Sequence, residues 1–355
     1  MKVVPVTQLV PGMVSAQDIL SKDNRFILRK GTPLTCALIM KLELNGVISV
    51  AIEKSKAIPQ DIHSPDPFNH VRTSKQFKEF RALYTQEVDS FKENLNSIIK
   101  KNSPLDVESL IQNALSLANN AKGPISIFDM LHNMHEFDDS TYSHCMNVGL
   151  ISYLFAGWLK MSREEAELVT ACGLLHDLGK LLVDREIIQK PDKLTDREFE
   201  EIKKHPDTGY RILKKRGVND IICQAALMHH ERCDGSGYPN KFTAEKIHPY
   251  AKIIAIADVY DAMTSTRVYR GPMCPFRVIE IFEEEGFQKY DTDYILTFLE
   301  NIVTTFLTSP CQLNDGRHGT IVFINKMKLS CPTVKCGEQF VDLGAHPELY
   351  IERLL

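Results

Sequence analysis

Apolar residues recur at helical spacing through most of the chain from about residue 105 to residue 305. Runs at three- and four-residue intervals cover Ile111–Leu117, Val148–Leu159, Leu168–Leu175 and Ile253–Met263. This spacing gives each segment one apolar face, as in an amphipathic helix. Because no strand-like alternation of any length interrupts these runs, the pattern predicts an all-helical domain.

The two ends of the chain show a different pattern. Near the N-terminus, short strand candidates flank a segment with helical spacing, Leu34–Leu44, which predicts a small α/β domain. Near the C-terminus, Gly319–Ile324 and Phe340–Leu343 are strand candidates between turn residues and predict a short β-rich appendage. The N-terminal strand candidates are Met13–Leu20, Phe26–Leu28 and Val47–Ile52. The fold class is therefore expected to be mainly α.

The expected domain boundaries follow these changes of pattern. They are a small N-terminal α/β domain at 1–54, a linker and connecting helices at 55–124, the helical domain at 125–307 and the β-rich C-terminal appendage at 308–355.

A long helix is expected over residues 73–101. Aromatic and aliphatic residues recur there every seven positions, at Phe77, Tyr84, Phe91 and Ile98. Such a seam is typical of a coiled coil and indicates a homodimer through this helix, although it fits packing against the chain's own core equally well. Ser103 and Pro104 are expected to end it and to begin the next helix.

Composition narrows the classes of function. The 355 residues carry 42 basic and 46 acidic side chains, a net charge of −4, which argues against a general DNA- or RNA-binding protein. Nine scattered cysteines favour a reducing compartment. We expect a cytoplasmic protein, because the N-terminus lacks the apolar core of a signal peptide and no apolar run reaches the ~18–20 residues of a membrane span.

Histidines and aspartates cluster at predicted helix ends in the helical domain. His176 and Asp177 are adjacent, His229 and His230 form a pair, and Asp258 lies in an apolar helix. His144 and His205 complete a set of seven nitrogen and oxygen donors. This mixture suits iron, manganese, nickel or zinc better than magnesium or calcium.

Seven protein ligands are too many for one metal that keeps an open site. Two ions bridged by Asp177 and a water or hydroxide account for the number, and such a hydroxide is a strong nucleophile for phosphoryl chemistry. Lys180, three residues beyond Asp177, is placed to neutralise phosphoryl oxygens.

A glycine-rich loop, Asp234–Pro239, follows the histidine pair. Its Tyr238 is a candidate surface for a ligand base, although a plain connecting turn explains the loop equally well. Arg267 and Arg270, beyond the Asp258 helix, are candidate phosphate contacts, and a solvated charged helix end is the alternative.

The joint pattern resembles the HD-GYP branch of the HD-domain metal-dependent phosphohydrolases. The motifs are His176-Asp177-x-Gly179-Lys180 and His229-His230-Glu231-x-x-Asp234-Gly235-x-Gly237-Tyr238-Pro239, followed by Asp258–Thr264 and Arg267-x-Tyr269-Arg270. The resemblance covers about residues 125–305. Residues 1–54 also resemble a small domain often fused to such enzymes.

The resemblance implies hydrolysis of cyclic di-GMP to pGpG, and on to GMP, at a binuclear or trinuclear non-haem metal centre. Lys180 is then the cation on the phosphate side, and Asp177 has a catalytic role as well as a ligand role. The implied substrate contacts are Tyr238, Arg267, Arg270, Gly237 and Pro239. The implied metal ligands are His144, His176, Asp177, His205, His229, His230 and Asp258.

One departure bears on the number of metals. Members of the resembled family with three metals share a glutamate one helical turn before the residue that matches His144. This chain has Ser140 at that position. Two ions are therefore expected, with iron or manganese favoured over nickel or zinc. Two alternatives to a cyclic di-GMP phosphodiesterase stay open: a module that binds the nucleotide without turnover, and an enzyme for another cyclic dinucleotide such as cyclic GMP-AMP.

Overall fold

The chain forms two compact units, Met1–Pro65 and Asp66–Leu355, in the computed structural model. The residues that the structure describes are 2–6, 9, 13–20, 26–32, 34, 38, 42, 47, 49–52, 71, 74–101, 103–121, 127–134, 141–188, 190, 194–265 and 272–355.

The N-terminal unit contains two antiparallel strand pairs among its described residues. Strand β1 pairs with β4, with Val4 opposite Val50, and β2 pairs with β3. The strands are β1 (Lys2–Pro5), β2 (Ile19–Leu20), β3 (Phe26–Leu28) and β4 (Ser49–Ile52). Val6, Leu34 and Leu42 contribute to the apolar core that the pairs enclose. The helix predicted over Leu34–Leu44 falls mostly outside the described residues.

The second unit begins with a 27-residue helix, α1 (Lys75–Lys101), close to the predicted bounds. Its heptad seam is buried within this single chain: Phe77, Tyr84, Phe91 and Ile98 are each at most 2% exposed. The seam packs against the next three helices. Of the two sequence-based alternatives, packing against the chain's own core therefore describes the seam, and a homodimer through α1 would have to use its polar face.

The predicted start of the next helix was wrong by several residues. Helix α2 (Val107–Asn120) begins after Asp106, whose carboxylate accepts a hydrogen bond from the backbone N–H of Ser109 at 3.0 Å. An aspartate in that position satisfies one of the free N–H groups of the first helical turn. Ser103 and Pro104 precede the helix and belong to no helix or strand.

The helical body contains the predicted apolar segments as helices. Two helices begin with a capping box, at Ser162/Glu165 and at Thr195/Glu198. The helices are α3 (Ile127–Met134), α4 (Thr141–Trp158), α5 (Arg163–Leu175), α6 (Arg185–Ile188), α7 (Asp196–Ile202), α8 (His205–Lys215), α9 (Asp220–Met228), α10 (Pro249–Thr264), α11 (Pro275–Ile281), α12 (Phe287–Lys289) and α13 (Thr292–Thr305). A 3₁₀ turn spans Leu178–Leu182.

Helices α4 and α5 approach each other unusually closely. A Cβ on Gly173 would lie 2.8 Å from Cα of Gly149, a backbone atom that cannot turn aside, so position 173 requires glycine for this contact. The close approach brings His144, on α4, near His176, which directly follows α5.

The C-terminal region forms a five-stranded antiparallel sheet in the order β8-β7-β6-β5-β9. The strands are β5 (Pro310–Leu313), β6 (His318–Phe323), β7 (Thr333–Cys336), β8 (Gln339–Asp342) and β9 (Ile351–Leu354). Glu283, in a π-helical turn after α11, accepts a hydrogen bond from the backbone N–H of Leu329 at 2.6 Å and so joins the sheet to the helices. The predicted mainly α class with a β-rich C-terminal appendage is confirmed.

None of the helices in the described part of the chain is long and apolar enough to cross a membrane.

Candidate metal centre

Three histidines of the set share one local arrangement. Each donates a hydrogen bond from Nδ1 to the backbone carbonyl three residues earlier: His176 to Gly173 at 2.7 Å, His205 to Ile202 at 2.6 Å and His229 to Ala226 at 2.9 Å. A carbonyl can only accept, so Nδ1 carries the hydrogen and Nε2 keeps its lone pair. Each of these side chains is fully buried. The three Nε2 atoms are therefore ready to bind a cation.

Asp177 lies between two groups of such donors. Its Oδ1 is 3.2 Å from Nε2 of His205 and 3.5 Å from Nε2 of His229. Its Oδ2 is 3.3 Å from Nε2 of His176 and 3.6 Å from Nε2 of His144. One carboxylate oxygen thus faces each group.

The donors separate into two compact groups whose ligating atoms lie within 4.8 Å of one another. The first is Asp177, His205, His229 and His230, and the second is His144, His176 and Asp258. Asp258 also reaches both, with Oδ1 at 3.1 Å from Nε2 of His144 and Oδ2 at 3.7 Å from Nδ1 of His230. The structure brings together all seven residues predicted as ligands.

The charges within the groups favour a cation. Burial alone would raise the pKa of the Asp177 carboxyl, but His176 and Lys180 outweigh burial and hold that pKa well below its usual range. Burial lowers the pKa of His229 to about 4, and burial and neighbouring histidines also lower the pKa of His230. Anionic aspartate beside neutral imidazole is the protonation state that metal ligands require.

His144 differs from the other histidines. Burial alone would lower the pKa of His144. Hydrogen bonds with Asp258 and Asp261 outweigh burial and raise this pKa to about 9. A cation at Nε2 would have to displace that proton.

Several buried nitrogen and oxygen atoms have a lone pair that no hydrogen-bond donor satisfies and that a cation could accept. Nε2 of His205 and Nε2 of His229 lie 3.2 Å apart, although both Nδ1 atoms already carry the ring hydrogen. Within the described residues, Nε2 of His176 and Oδ1 of Asp177 are buried without a hydrogen-bond partner. Buried polar atoms of this kind cost about 1–3 kcal/mol each unless they are satisfied. The mixed nitrogen and oxygen set can hold divalent metals.

Lys180 borders the second group. It lies in the 3₁₀ turn after Asp177, and its Nζ donates to Oδ2 of Asp177 at 2.6 Å. Its side chain is 21% exposed, so the ammonium lies at the edge of the buried cluster.

Sequence reasoning gave no role to Asp261. Its Oδ2 is 2.7 Å from Nδ1 of His144, so it does for this histidine what a backbone carbonyl does for the others. The available signal was its spacing: residues three apart on a helix share a face, and Asp258 already lay in the ligand set.

The loop after the histidine pair folds back over the site. The buried carboxylate of Glu231 accepts hydrogen bonds from the backbone N–H groups of Asn240 and Phe242, at 2.7 and 2.9 Å. The ring of Tyr238 stacks on His230, with ring centroids 4.6 Å apart. The loop therefore lies against the histidine cluster, and Glu231 is a second residue whose role the sequence did not indicate.

Two loop residues predicted to contact substrate lie beside Tyr238. Gly237 is buried where a Cβ would lie 2.4–2.5 Å from the backbone of residues 230–232, so the loop can close there only with glycine. Pro239 is exposed and follows Tyr238 through a cis peptide bond. Arg267, Tyr269, Arg270 and Ser140 lie outside the described residues.

Comparison with known proteins assigns a family to part of the chain. The HD domain family matches residues 129–294, which include all seven residues of the cluster. The chain is 33% identical over 219 residues to the cyclic di-GMP phosphodiesterase PA4108 of Pseudomonas aeruginosa, an alignment that covers 58% of this chain and 52% of that protein. Residues 129–294, slightly less than half of the chain, therefore match the HD domain family.

A second relative of this chain is named for a different substrate. The 3′3′-cGAMP-specific phosphodiesterase 1 of Vibrio cholerae is 32% identical over 212 residues, with 60% of this chain and 46% of that protein covered. The chain thus spans about half the length of these curated relatives.

A solved structure shares the fold. Bd1817, an HDG"Y"P protein from Bdellovibrio bacteriovorus, superposes with a TM-score of 0.52 at 16% identity, over 85% of this chain and 99% of that one. The predicted HD-type helical fold is confirmed.

Proposed function

We propose that the seven clustered residues hold two divalent transition-metal ions bridged by Asp177. The observation that carries this proposal is the position of the Asp177 carboxylate, with one oxygen facing each ligand group. His205, His229 and His230 would hold one ion, and His144, His176 and Asp258 the other. Iron or manganese is favoured by the mixed donor set, with nickel or zinc next.

We propose further that the HD domain hydrolyses cyclic di-GMP to pGpG, with GMP as a further product. A pair of bound divalent cations supplies a water nucleophile at neutral pH and neutralises phosphoryl charge. The chain's own residues orient the reaction. Lys180 directs an ammonium to the rim of the cluster, where it would pair with a phosphoryl oxygen.

The substrate contacts in this proposal come from two segments. Tyr238, whose ring stacks on His230, would offer an aromatic surface to a guanine, while Gly237 and Pro239 shape its loop. Arg267 and Arg270 would bind phosphate. The proposed domain that carries all of them is 125–307, and a cytoplasmic location stays a prediction from cysteine content.

Cyclic GMP-AMP is a second candidate substrate, because a relative of similar identity is named for it. A module that binds the nucleotide without turnover is disfavoured, since none of the seven expected ligands is missing from the cluster. Purified protein loaded anaerobically with Mn²⁺ or Fe²⁺ should hydrolyse cyclic di-GMP faster than 3′3′-cyclic GMP-AMP. The reverse preference would assign the second substrate, and binding without hydrolysis of either would assign the module.

The decisive variant is Asp177→Ala. Loss of the carboxylate removes the group that both ions share, so metal content and turnover should fall together while helical circular dichroism is retained. Asp293→Ala, an exposed position on α13, is the matched control and should keep both metals. Near wild-type turnover in Asp177→Ala would refute the bridging role.

A further inference from the structure

A buried chain of hydrogen bonds connects His144 to the first helix of the second unit. The Tyr84 hydroxyl donates to Oδ1 of Asn147 at 2.6 Å, and Nδ2 of Asn147 donates to Oδ1 of Asp261 at 3.0 Å. The other oxygen of Asp261 accepts from Nδ1 of His144 at 2.7 Å. Each of the three linking side chains is at most 2% exposed.

The direction of every bond in this chain is fixed. A carboxylate can only accept, so Asn147 presents its NH₂ group to Asp261 and its amide oxygen to the Tyr84 hydroxyl, which also lies 3.3 Å from the carbonyl oxygen of Ser143. Asp261 is then held at one oxygen, and its second oxygen meets His144. The result is a hydrogen on Nδ1 of His144, which leaves Nε2, the atom that faces Asp177 and Asp258, as the nitrogen at which a cation would bind.

Tyr84 lies outside the part of the chain that matches the HD domain family, residues 129–294. It belongs to α1, which is also tied to a second ligand-bearing helix: the guanidinium of Arg216, after α8, donates to the carbonyl of Ile98 at 2.6 Å. Helix α1 thus contacts the frame of the cluster at two residues of its seam, Tyr84 and Ile98.

We propose that Tyr84 is a positioning residue for the metal centre, acting through Asn147 and Asp261 to hold the tautomer and ring orientation of His144. The inference rests on the proposed function only in taking His144 as a ligand. Because a partner of a ligand histidine changes metal affinity by about 10–100-fold, and Tyr84 acts two residues further out, its hydroxyl should change affinity by about three- to tenfold.

The test is the affinity of the metal-free full chain for Mn²⁺, measured by electron paramagnetic resonance of the free ion. Tyr84→Phe removes only the hydroxyl and should weaken one of the two Mn²⁺ ions about three- to tenfold. Asp261→Asn should weaken the same ion about 10–100-fold. Asn96→Ala is the matched control, since it removes another hydrogen bond between α1 and α4, from Asn96 to the Tyr142 hydroxyl at 3.0 Å.

The double variant distinguishes positioning from general packing. If Tyr84 acts through Asp261, Tyr84→Phe should add little to Asp261→Asn, whereas independent effects would multiply. Wild-type affinity in Tyr84→Phe, an equal loss in Asn96→Ala, or multiplicative effects would each overturn the inference. Failure of the proposed function looks different: the wild-type chain itself would then bind no pair of Mn²⁺ ions.

Discussion

Substitution of Gly179 by alanine should disable the metal centre, although Gly179 is not a proposed ligand. The added Cβ would displace the backbone of His205, which is one. Gly179 lies in the 3₁₀ turn after Asp177 and packs against the start of α8. A Cβ at this position would lie 2.0 Å from the carbonyl oxygen of His205 and 2.7 Å from the backbone nitrogen of Gly209. Both neighbours are backbone atoms, so a rotamer change cannot relieve the overlap.

The size of the displacement follows from these distances. Ordinary contacts to a Cβ begin at 3.4 Å, so the backbone at His205 must move by about 1.4 Å relative to Gly179. Metal–ligand distances tolerate only about 0.2 Å. Overpacking of this kind costs about 1–3 kcal/mol of folding stability, and a misplacement of about 1 Å can cost about 10²-fold in rate.

We therefore expect Gly179→Ala to remain folded, to lose at least one metal per chain and to lose about 10²-fold in turnover. Elemental analysis, thermal unfolding and a hydrolysis assay measure the three quantities. Gly157→Ala on α4 is the matched control, because no atom lies within 4 Å of its added Cβ. Alanine there should stabilise the helix by up to about 1 kcal/mol and leave the metals in place. Two metals and a wild-type rate in Gly179→Ala would refute the steric argument.

Two further predictions concern the loop and the helix end beside the cluster. Glu231→Gln leaves one acceptor oxygen where two backbone N–H groups now bind, so it should destabilise the fold by about 1–3 kcal/mol. It should also raise KM with unchanged metal content. An unchanged KM would mean that the loop does not contact the substrate. Tyr238→Ala and Arg267→Ala should each weaken cyclic di-GMP binding about tenfold, since base stacking and a charge-assisted bond are each worth about 1–3 kcal/mol. Wild-type affinity of both variants in calorimetry would mean that these two residues do not contact the nucleotide.

Sequence reasoning selected residues that the structure brings together, because their signal is local. His176-Asp177 and His229-His230 are adjacent pairs at predicted helix ends, and both lie where the helices stop. Asp261 and Tyr84 were different, because each looked like a member of a regular helical pattern. Their roles depend on which helices meet across 63 to 117 positions of sequence, which periodicity does not specify.

The C-terminal sheet shows a similar limit. Only β6 and β8 were predicted among its five strands. The other three are four residues long, and β5 begins with Pro310. A proline can occupy the first residue of a strand, where the missing N–H costs little. Short strands of mixed burial are specified by pairing with their neighbours rather than by their own alternation.

The position of the ligands at helix ends has a physical reason that also explains the exception. The last carbonyls of a helix have no partner within it, so His176, His205 and His229 can each donate Nδ1 to a carbonyl in the last turn of the preceding helix. The same ends carry the negative pole of the helix dipole, which favours a cation. His144 lies inside α4, where the backbone carbonyls are already committed to helical bonds. It must therefore find its acceptor in a side chain, and this requirement makes the cluster depend on Asp261, on Asn147 and on a tyrosine from a helix outside the family match.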